Sequence, residues 1–386
     1  MHVPDGWEQK KLGSVAELQR GFDLPSSKRI KGCVPVISSG GVSGFHDEAK
    51  VKAPGIVTGR YGSIGDVFFI EVDFWPLNTA LWVKDFHGND PKYLYYLLNK
   101  IDYKKFSDKT GVPGINRNDL HAIKMPVPPP PEQHRIAQIL TTWDKAIEKL
   151  KCLITAKQKR KKALMQQLLT GKKRFAGFDG EFMEYRLEQL CLFKRGKGLS
   201  KEKLSSEGQY KCILYGELYT KYGEVITNVL SRTNDTDSIK SVSGDILIPS
   251  STTTSGIDLA NATALLEDDV LLGGDINILR PDISKVCSEF LSYLLTHIKK
   301  HQLASRAQGI TIIHLYGSDL KPLLVKLPDI KEQQKIAAIL FVADKEIESH
   351  QTQFSALKQQ KKGLMQQLLT GKRRVQLEKE AENVSV

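Results

Sequence analysis

At 386 residues, 40% hydrophobic and 26% charged, the chain is too long for one ordinary core, and its composition excludes a fibrous or globally disordered protein. A formal net charge of +12 and a pI near 9.2 point to a polyanionic partner, most often nucleic acid. With no apolar run long enough for a membrane span, no secretory leader pattern, and five scattered cysteines (Cys33, Cys152, Cys191, Cys212, Cys287) never in C-x-x-C spacing, the sequence predicts a cytoplasmic protein with no membrane contact, disulfide framework or zinc site.

From the N-terminus, an amphipathic opening "LGSVAELQRG" ends in Arg20-Gly21, and "APGIVTGRYGSIGDVFFIEV" from Ala53 reads as strand, Gly-rich turn, strand. "DPKYLYYLLNKID" reads as a helix, and "GVPGINRND" (Gly111 to Asp119) precedes a proline-rich exit. "MPVPPPPEQ" stops any earlier helix and offers Pro131 as the first position of a new one, with Glu132 complementing its dipole. From there Ile136, Leu140, Trp143, Ile147, Leu150, Ile154, Leu164 and Leu168 step by fours and threes or keep that phase, the pattern of a long helix with a coiled-coil seam. Gly171 marks its end.

The same order then repeats. "LEQLCLFKRG" from Leu187 echoes the opening, with Lys194-Arg195-Gly196-Lys197 in place of Arg20-Gly21; "SGDILIPSSTTTSGIDLA" takes the place of the strand-turn-strand. "VCSEFLSYLLTHIKKH" reads as the helix, and "AQGITIIHLYGSD" (Ala307 to Asp319) as the exit. Residues 332–374 lie over 132–174 without a gap and with roughly half the positions identical, giving a second seam of Ile336, Leu340, Ile347, Phe354, Leu364 and Leu368 before Gly371. A period this long is a duplicated domain pair and not a solenoid.

Each half therefore has a variable body and a near-constant tail. A single-striped helix of this length needs a partner, and its own copy is the nearest one. The expected fold is α+β: two tandem mixed α/β globules joined and separated by two long helices that form an antiparallel coiled coil, pseudo-twofold symmetric. The predicted division is 1–131, first globule; 132–171, central helix; 172–183, linker; 184–327, second globule; 328–371, C-terminal helix; 372–386, a basic then acidic flexible tail.

Loops carrying Arg, Asn, Ser, Thr and Tyr can reach phosphates and base edges. The candidate DNA contacts are Arg20, Lys28, Ser38, Ser39, Thr58, Arg60, Tyr61, Ser63, Asn116 and Arg117 in the first body. In the second they are Lys194, Arg195, Lys197, Tyr215, Ser251, Thr252, Thr253 and Thr254.

Catalytic signatures are missing. Gly171-Lys172 and Gly371-Lys372 lack the rest of a P-loop, no G-x-G-x-x-G follows a strand, no [DNS]-P-P-[YF] tetrapeptide occurs, and the histidines lack H-E-x-x-H spacing. Pro4-Asp5 with Glu48-x-Lys50 meets the letters of a metal-dependent nuclease, which keeps a self-sufficient DNA nuclease as the alternative; a coiled-coil scaffold that does not touch DNA is a third reading. The pattern as a whole is that of a binder, with no catalytic residue, metal or cofactor of its own.

Glu132-Gln133-x-x-Ile136-Ala137, its copy Glu332-Gln333-x-x-Ile336-Ala337, and the two Leu-Met-Gln-Gln-Leu-Leu-Thr-Gly exits make the chain resemble the specificity (S) subunits of type I restriction-modification enzymes over essentially its whole length. The resemblance implies that each body is a target recognition domain reading one half of a bipartite, asymmetric site in double-stranded DNA. It further implies two adenine-methylating M subunits docked on the constant regions and restriction (R) subunits in the full complex. S-adenosylmethionine, ATP and magnesium belong to those partners.

Overall fold

Both long helices form, and their ends explain their bounds. In the computed structural model, which describes residues 3–106 and 114–377, they run Pro130–Leu168 and Ile330–Leu368, 39 residues each, or about 58 Å. The first begins one residue before the expected Pro131, because the Glu132 amide already donates to the Pro129 carbonyl at 3.0 Å. Each stops at a glycine with positive φ, 71° at Gly171 and 67° at Gly371, whose amide donates to Leu168 or Leu368 at 3.2 Å. Gly111 to Pro113 of the first exit stretch and residues 378–386 of the tail lie outside the described residues.

The chain divides into two compact units that cut across the linear order: residues 1–151 with 352–386, and residues 152–351. Each unit thus holds one body, the first half of the helix that follows it, and the last half of the other helix. Within each, the two half-helices run antiparallel.

In the first unit a four-stranded antiparallel sheet takes the order Glu17–Arg20, Ala80–Asp85, Gly55–Gly59, Val67–Ile70. In the second the equivalent order is Cys191–Arg195, Ile276–Pro281, Asp245–Pro249, Thr263–Leu265, with Val225–Ile226 added in parallel. A second small sheet flanks each. A two-stranded ribbon, Glu8–Lys11 with Lys124–Val127 or Met183–Arg186 with Leu324–Leu327, ties the start of each body to its exit. The expected body helices are Pro91–Asn99, capped by Asp90, which accepts from the Tyr93 amide at 2.8 Å, and Ser288–Tyr293 continued by a π-turn.

The body cores absorb much of the expected helix seam. Ile136, Leu140 and Leu368 are buried with Leu12, Leu94 and Leu120 of the first body, and Leu364 packs against them. Ile336, Leu340 and Leu168 are buried with Phe290, Leu291 and Leu320 of the second, beside Leu164. The seam residues of the two helices do meet, and a body packs against them as well, so they fill a three-way core of body and two helices, as their large fractional burial favours. Ile154 and Ile347 are buried and Trp143, Ile147 and Phe354 half-buried along the middle of the helices.

Equivalent polar groups fix the register in both units. Glu132, 2% exposed, accepts from Arg374 in a fork of 2.7 and 2.8 Å and from the Trp7 indole at 2.9 Å. Glu332, 0% exposed, accepts the same fork from Arg174 at 2.7 and 2.6 Å. Gln133 and Gln333 each donate to the carbonyl five residues earlier at 2.9 Å and accept a body amide, Asp90 or Cys287, at 3.0 Å. Further along, Lys361 meets Asp144, which accepts from Tyr96, and Lys161 meets Asp344, which accepts from Tyr293. A charge buried this way costs several kcal/mol if its partner slips by a turn, so such pairs specify register.

Candidate nucleic-acid interface

Of the three candidate stretches in each body, the structure brings two together in both. In the first body the "TGRYGSIG" turn meets the exit stretch: Tyr61 bridges to Gly114, and the Ile115 amide donates to the Arg60 carbonyl at 3.0 Å. In the second, Ser251–Thr252 forms a short antiparallel ribbon with Ile313–His314 of its exit stretch. The two bodies share this juxtaposition although their sequences there are unlike.

The Arg-Gly element has a backbone reason. A Cβ on Gly21 would lie 2.2 Å from the Leu77 carbonyl oxygen, and one on Gly196 1.9 Å from that of Gly273. Each glycine lets the chain leaving the first sheet strand pass close to that backbone, with Arg20 and Asn78 both near Asp23 and Arg195 near Asp275. Arg20 lies 4.0 Å from Asp23, and Arg195 donates to Asp275 at 2.8 Å.

Around the first turn, Arg60 and Tyr61 both donate their amides to the Thr79 carbonyl, at 2.9 and 3.1 Å. The Arg60 guanidinium covers the Tyr61 ring at 4.4 Å. Ser39 and Ser63 close over the turn: a Cβ on Gly59 would lie 1.8 Å from the Ser63 carbonyl oxygen and 3.3 Å from Ser39. Ser38 donates to the Gly41 carbonyl at 3.0 Å, Lys28 is exposed on a short 3-10 turn, and Asn116 caps the helix that Arg117 begins. The Thr79 hydroxyl, in the middle of this group, is buried and has no partner among the described residues.

Several candidates are corrected. Thr58 is 1% exposed and its hydroxyl donates to the Asp66 carbonyl at 3.0 Å; its strand is buried on both faces, so an outward side chain was the wrong reading. Ser251 and Thr252 are 5% and 2% exposed, covered by the exit ribbon, and only Thr253 and Thr254 of that run are exposed. Thr254 is held by Asp258 at 2.6 Å. Arg195 and Lys197 are matched by Asp275 and Asp237 at 2.8 and 2.5 Å, which weakens them as phosphate ligands, while Lys194 stays exposed. Tyr215 is half-buried beside the small second core.

Sequence reading did not name Asn78 and Thr79 in the first body or Tyr219 in the second, and it took in His314 and Tyr316 only as part of the exit stretch Ala307 to Asp319. The Tyr219 hydroxyl is raised by burial and drawn back by a hydrogen bond with Thr252. His314 and Tyr316 stack at 5.7 Å and 11°, beside the exposed Ile310 and Ile312. An aromatic two residues from a histidine on an exit stretch was the available signal.

Among the described residues, no group set up for catalysis gathers here. Burial pushes Cys191 and Cys287 up to about 12 and Cys212 to about 11, far from a reactive thiolate. Lys50 closes on Glu48 at 2.5 Å. Among the described residues, the acidic and histidine side chains near enough to share a cation are Glu17, Asp85 and His87, which include none of the nuclease letters. No helix of the described residues is long and apolar enough to cross a membrane.

Known proteins agree with this geometry. The type I restriction modification DNA specificity domain matches residues 4–158 and again 179–359. The protein assigned as the MjaX specificity subunit of Methanocaldococcus jannaschii is 28% identical, covering 97% of this chain and 95% of its own. The MjaVIII type I restriction enzyme specificity subunit of the same organism is 25% identical at the same coverage. The S subunit of the M. genitalium type I system superposes with a TM-score of 0.67 at 20% identity over 96% of this chain and 98% of its own. The duplicated fold, the paired loops of each body and this match over both halves have one meaning: the chain belongs to the type I restriction-modification specificity family, as a non-catalytic DNA-recognition subunit with two tandem target recognition domains.

Proposed function

We propose that the two bodies read the two unlike halves of a bipartite, asymmetric site in double-stranded DNA, and that the chain directs adenine methylation and restriction by partner subunits. The observation that carries this reading is the common scaffold with unlike tips. Both bodies join turn to exit stretch in the same way, yet one presents Arg60, Tyr61, Asn116 and Arg117 and the other Thr253, Thr254, His314 and Tyr316.

The partners in this reading are two identical M subunits, with R subunits in the full complex. Most of the repeated residues are buried or half-buried, and those that serve the internal clasp give no reason for a partner. Lys162, Gln166, Gln167 and Lys172 are different: they recur as Lys362, Gln366, Gln367 and Lys372, and all eight are exposed. Repeated side chains that face water in both units suit the same partner met twice. S-adenosylmethionine, ATP and magnesium are assigned to those partners, and the protein acts where the DNA is, in the cytoplasm. A structural neighbour drawn from work on type I complex assembly and conformational transition, with a TM-score of 0.55, is in keeping with an assembling subunit.

The test is a body exchange. Residues 1–130 are replaced by the corresponding body of another specificity subunit, and methylated adenines are mapped across the host genome before and after. One half of the modified site is expected to change and the other to persist. A change in both halves, or in neither, overturns the reading.

A further inference from the structure

We propose that Arg60, stacked on Tyr61, is the principal base-reading side chain of the first recognition domain and takes a guanine in the major groove. The proposal rests on the reading of this body as a DNA recognition domain and assigns the chemistry of one position in its half-site.

Arg60 combines two properties that no other candidate in the first body has together. Its position is fixed: its amide and that of Tyr61 donate to the Thr79 carbonyl, and its own carbonyl accepts from Ile115 at 3.0 Å. The ring beneath it is fixed as well. Tyr61 bridges to Gly114, and a Cβ there would lie 2.6 Å from the ring, so the ring rests on bare backbone. At the same time the Arg60 guanidinium has no carboxylate partner among the described residues.

A planar fork held over an aromatic face has little rotamer freedom left to lose. Its two parallel donors match the O6 and N7 acceptors that guanine alone presents side by side in the major groove. The other cations fit less well. Arg20 is near Asp23; Lys28 is a flexible point charge suited to phosphate. Arg117 opens a five-residue helix with no aromatic support, and the Asn116 side-chain oxygen already accepts from the Asn118 amide. In the second body Arg195 is committed to Asp275, so the two domains do not share this device.

The experiment uses the full chain with its methyltransferase partners in a host without other modification, read by single-molecule mapping of methylated adenines. Arg60→Ala is expected to relax one guanine in one half-site, with discrimination at that position falling roughly 10- to 100-fold. Arg60→Lys is expected to relax the same position, because it keeps the charge and loses the fork, whereas Tyr61→Phe keeps the platform and the motif. An unchanged motif in Arg60→Ala overturns the proposal, as does a uniform fall in methylation with the motif intact, which marks a phosphate contact. So does full discrimination in Arg60→Lys. If the wild-type complex modifies no split site, the functional reading fails separately. Selection of the purified chain on randomised duplexes then decides the Arg60 assignment, a lost guanine preference in Arg60→Ala supporting it and an unaltered selected motif overturning it.

Discussion

In the first unit Arg374 forks onto Glu132 over Trp7, and in the second Arg174 forks onto Glu332 beside Phe182. These inner contacts are nearly superimposable in kind, down to the carbonyl that each arginine also reaches, of Asp5 or of Gly180. The outer tips are unlike, a stacked arginine without a carboxylate partner among the described residues in one and neutralised cations with a histidine-tyrosine stack in the other. Most of the repetition in this chain therefore holds each body to a pair of half-helices, and a smaller part of it stays exposed outside that clasp. The divergence sits where the loops face outward.

The sharpest way to break the likeness is to cut one clasp at a time. Glu332→Ala leaves Arg174, 25% exposed, without its carboxylate, and is expected to destabilise the second unit by about 3 kcal/mol, the lower end for a broken buried pair because the arginine can reach water. Glu132→Ala orphans the Trp7 indole too, and should cost the first unit at least as much. Hydrogen exchange followed peptide by peptide in urea checks this: protection should fall in the mutated unit only. An equal fall in both units would mean that they do not unfold as separate bodies.

A smaller effect sharpens a real difference between the units. Beside the shared Lys161, Asp344 and Tyr293, the second unit adds Glu224 and His297, which meet at 2.5 Å, with no counterpart around Lys361 and Asp144 among the described residues. Burial alone would raise Glu224, but His297 and Lys161 hold it down at about 2 against an ordinary 4.5. The lowered value means that the folded unit favours the charged form. Its contribution is fully present above pH 4.5 and is lost as pH falls towards 2, roughly 3 kcal/mol in all. Asp344, which burial pushes up, opposes this in part. The second unit is expected to lose protection before the first in acid titration, and Glu224→Gln should flatten that dependence. A first unit that melts at higher pH than the second would contradict it.

These contrasts also mark what the sequence could and could not reveal. The helix bounds were legible to within a few residues because proline and glycine punctuate a long single-phase stripe. The Glu-Gln pairs were legible as repeated but not as internal, since their arginines lie 242 and 158 residues away and no local pattern records such a pairing. The turn and exit stretches stood out by composition, and their meeting had to come from topology. Thr58 misled because both faces of Gly55–Gly59 are buried, which removes the alternation that usually shows which way a strand residue points. The shared seam was legible as a covered stripe and not as a three-way core: an apolar stripe says that a face is covered, not whether a helix, a body or both cover it.

The smallest predicted effect concerns the repeated segment itself, where identical residues meet different neighbours. Gly171 and Gly371 both end "LLTG" with positive φ, so alanine is strained at either by roughly 1 kcal/mol. The space differs. A Cβ at Gly171 would touch the Phe182 ring at 3.1 Å, a contact a ring can yield by a few tenths of an ångström, whereas one at Gly371 would stand 2.3 Å from the Pro4 ring. Pro4 cannot swing away by rotamer change, so the backbone before Trp7 has to shift. Gly371→Ala is expected to cost about 2 kcal/mol, around twice the loss for Gly171→Ala, in unfolding midpoints measured under one set of conditions. Equal losses would mean that the helix end alone sets the cost and that the neighbouring start of the body gives way freely; a larger loss at Gly171 would reverse the order of tightness that the two ends show.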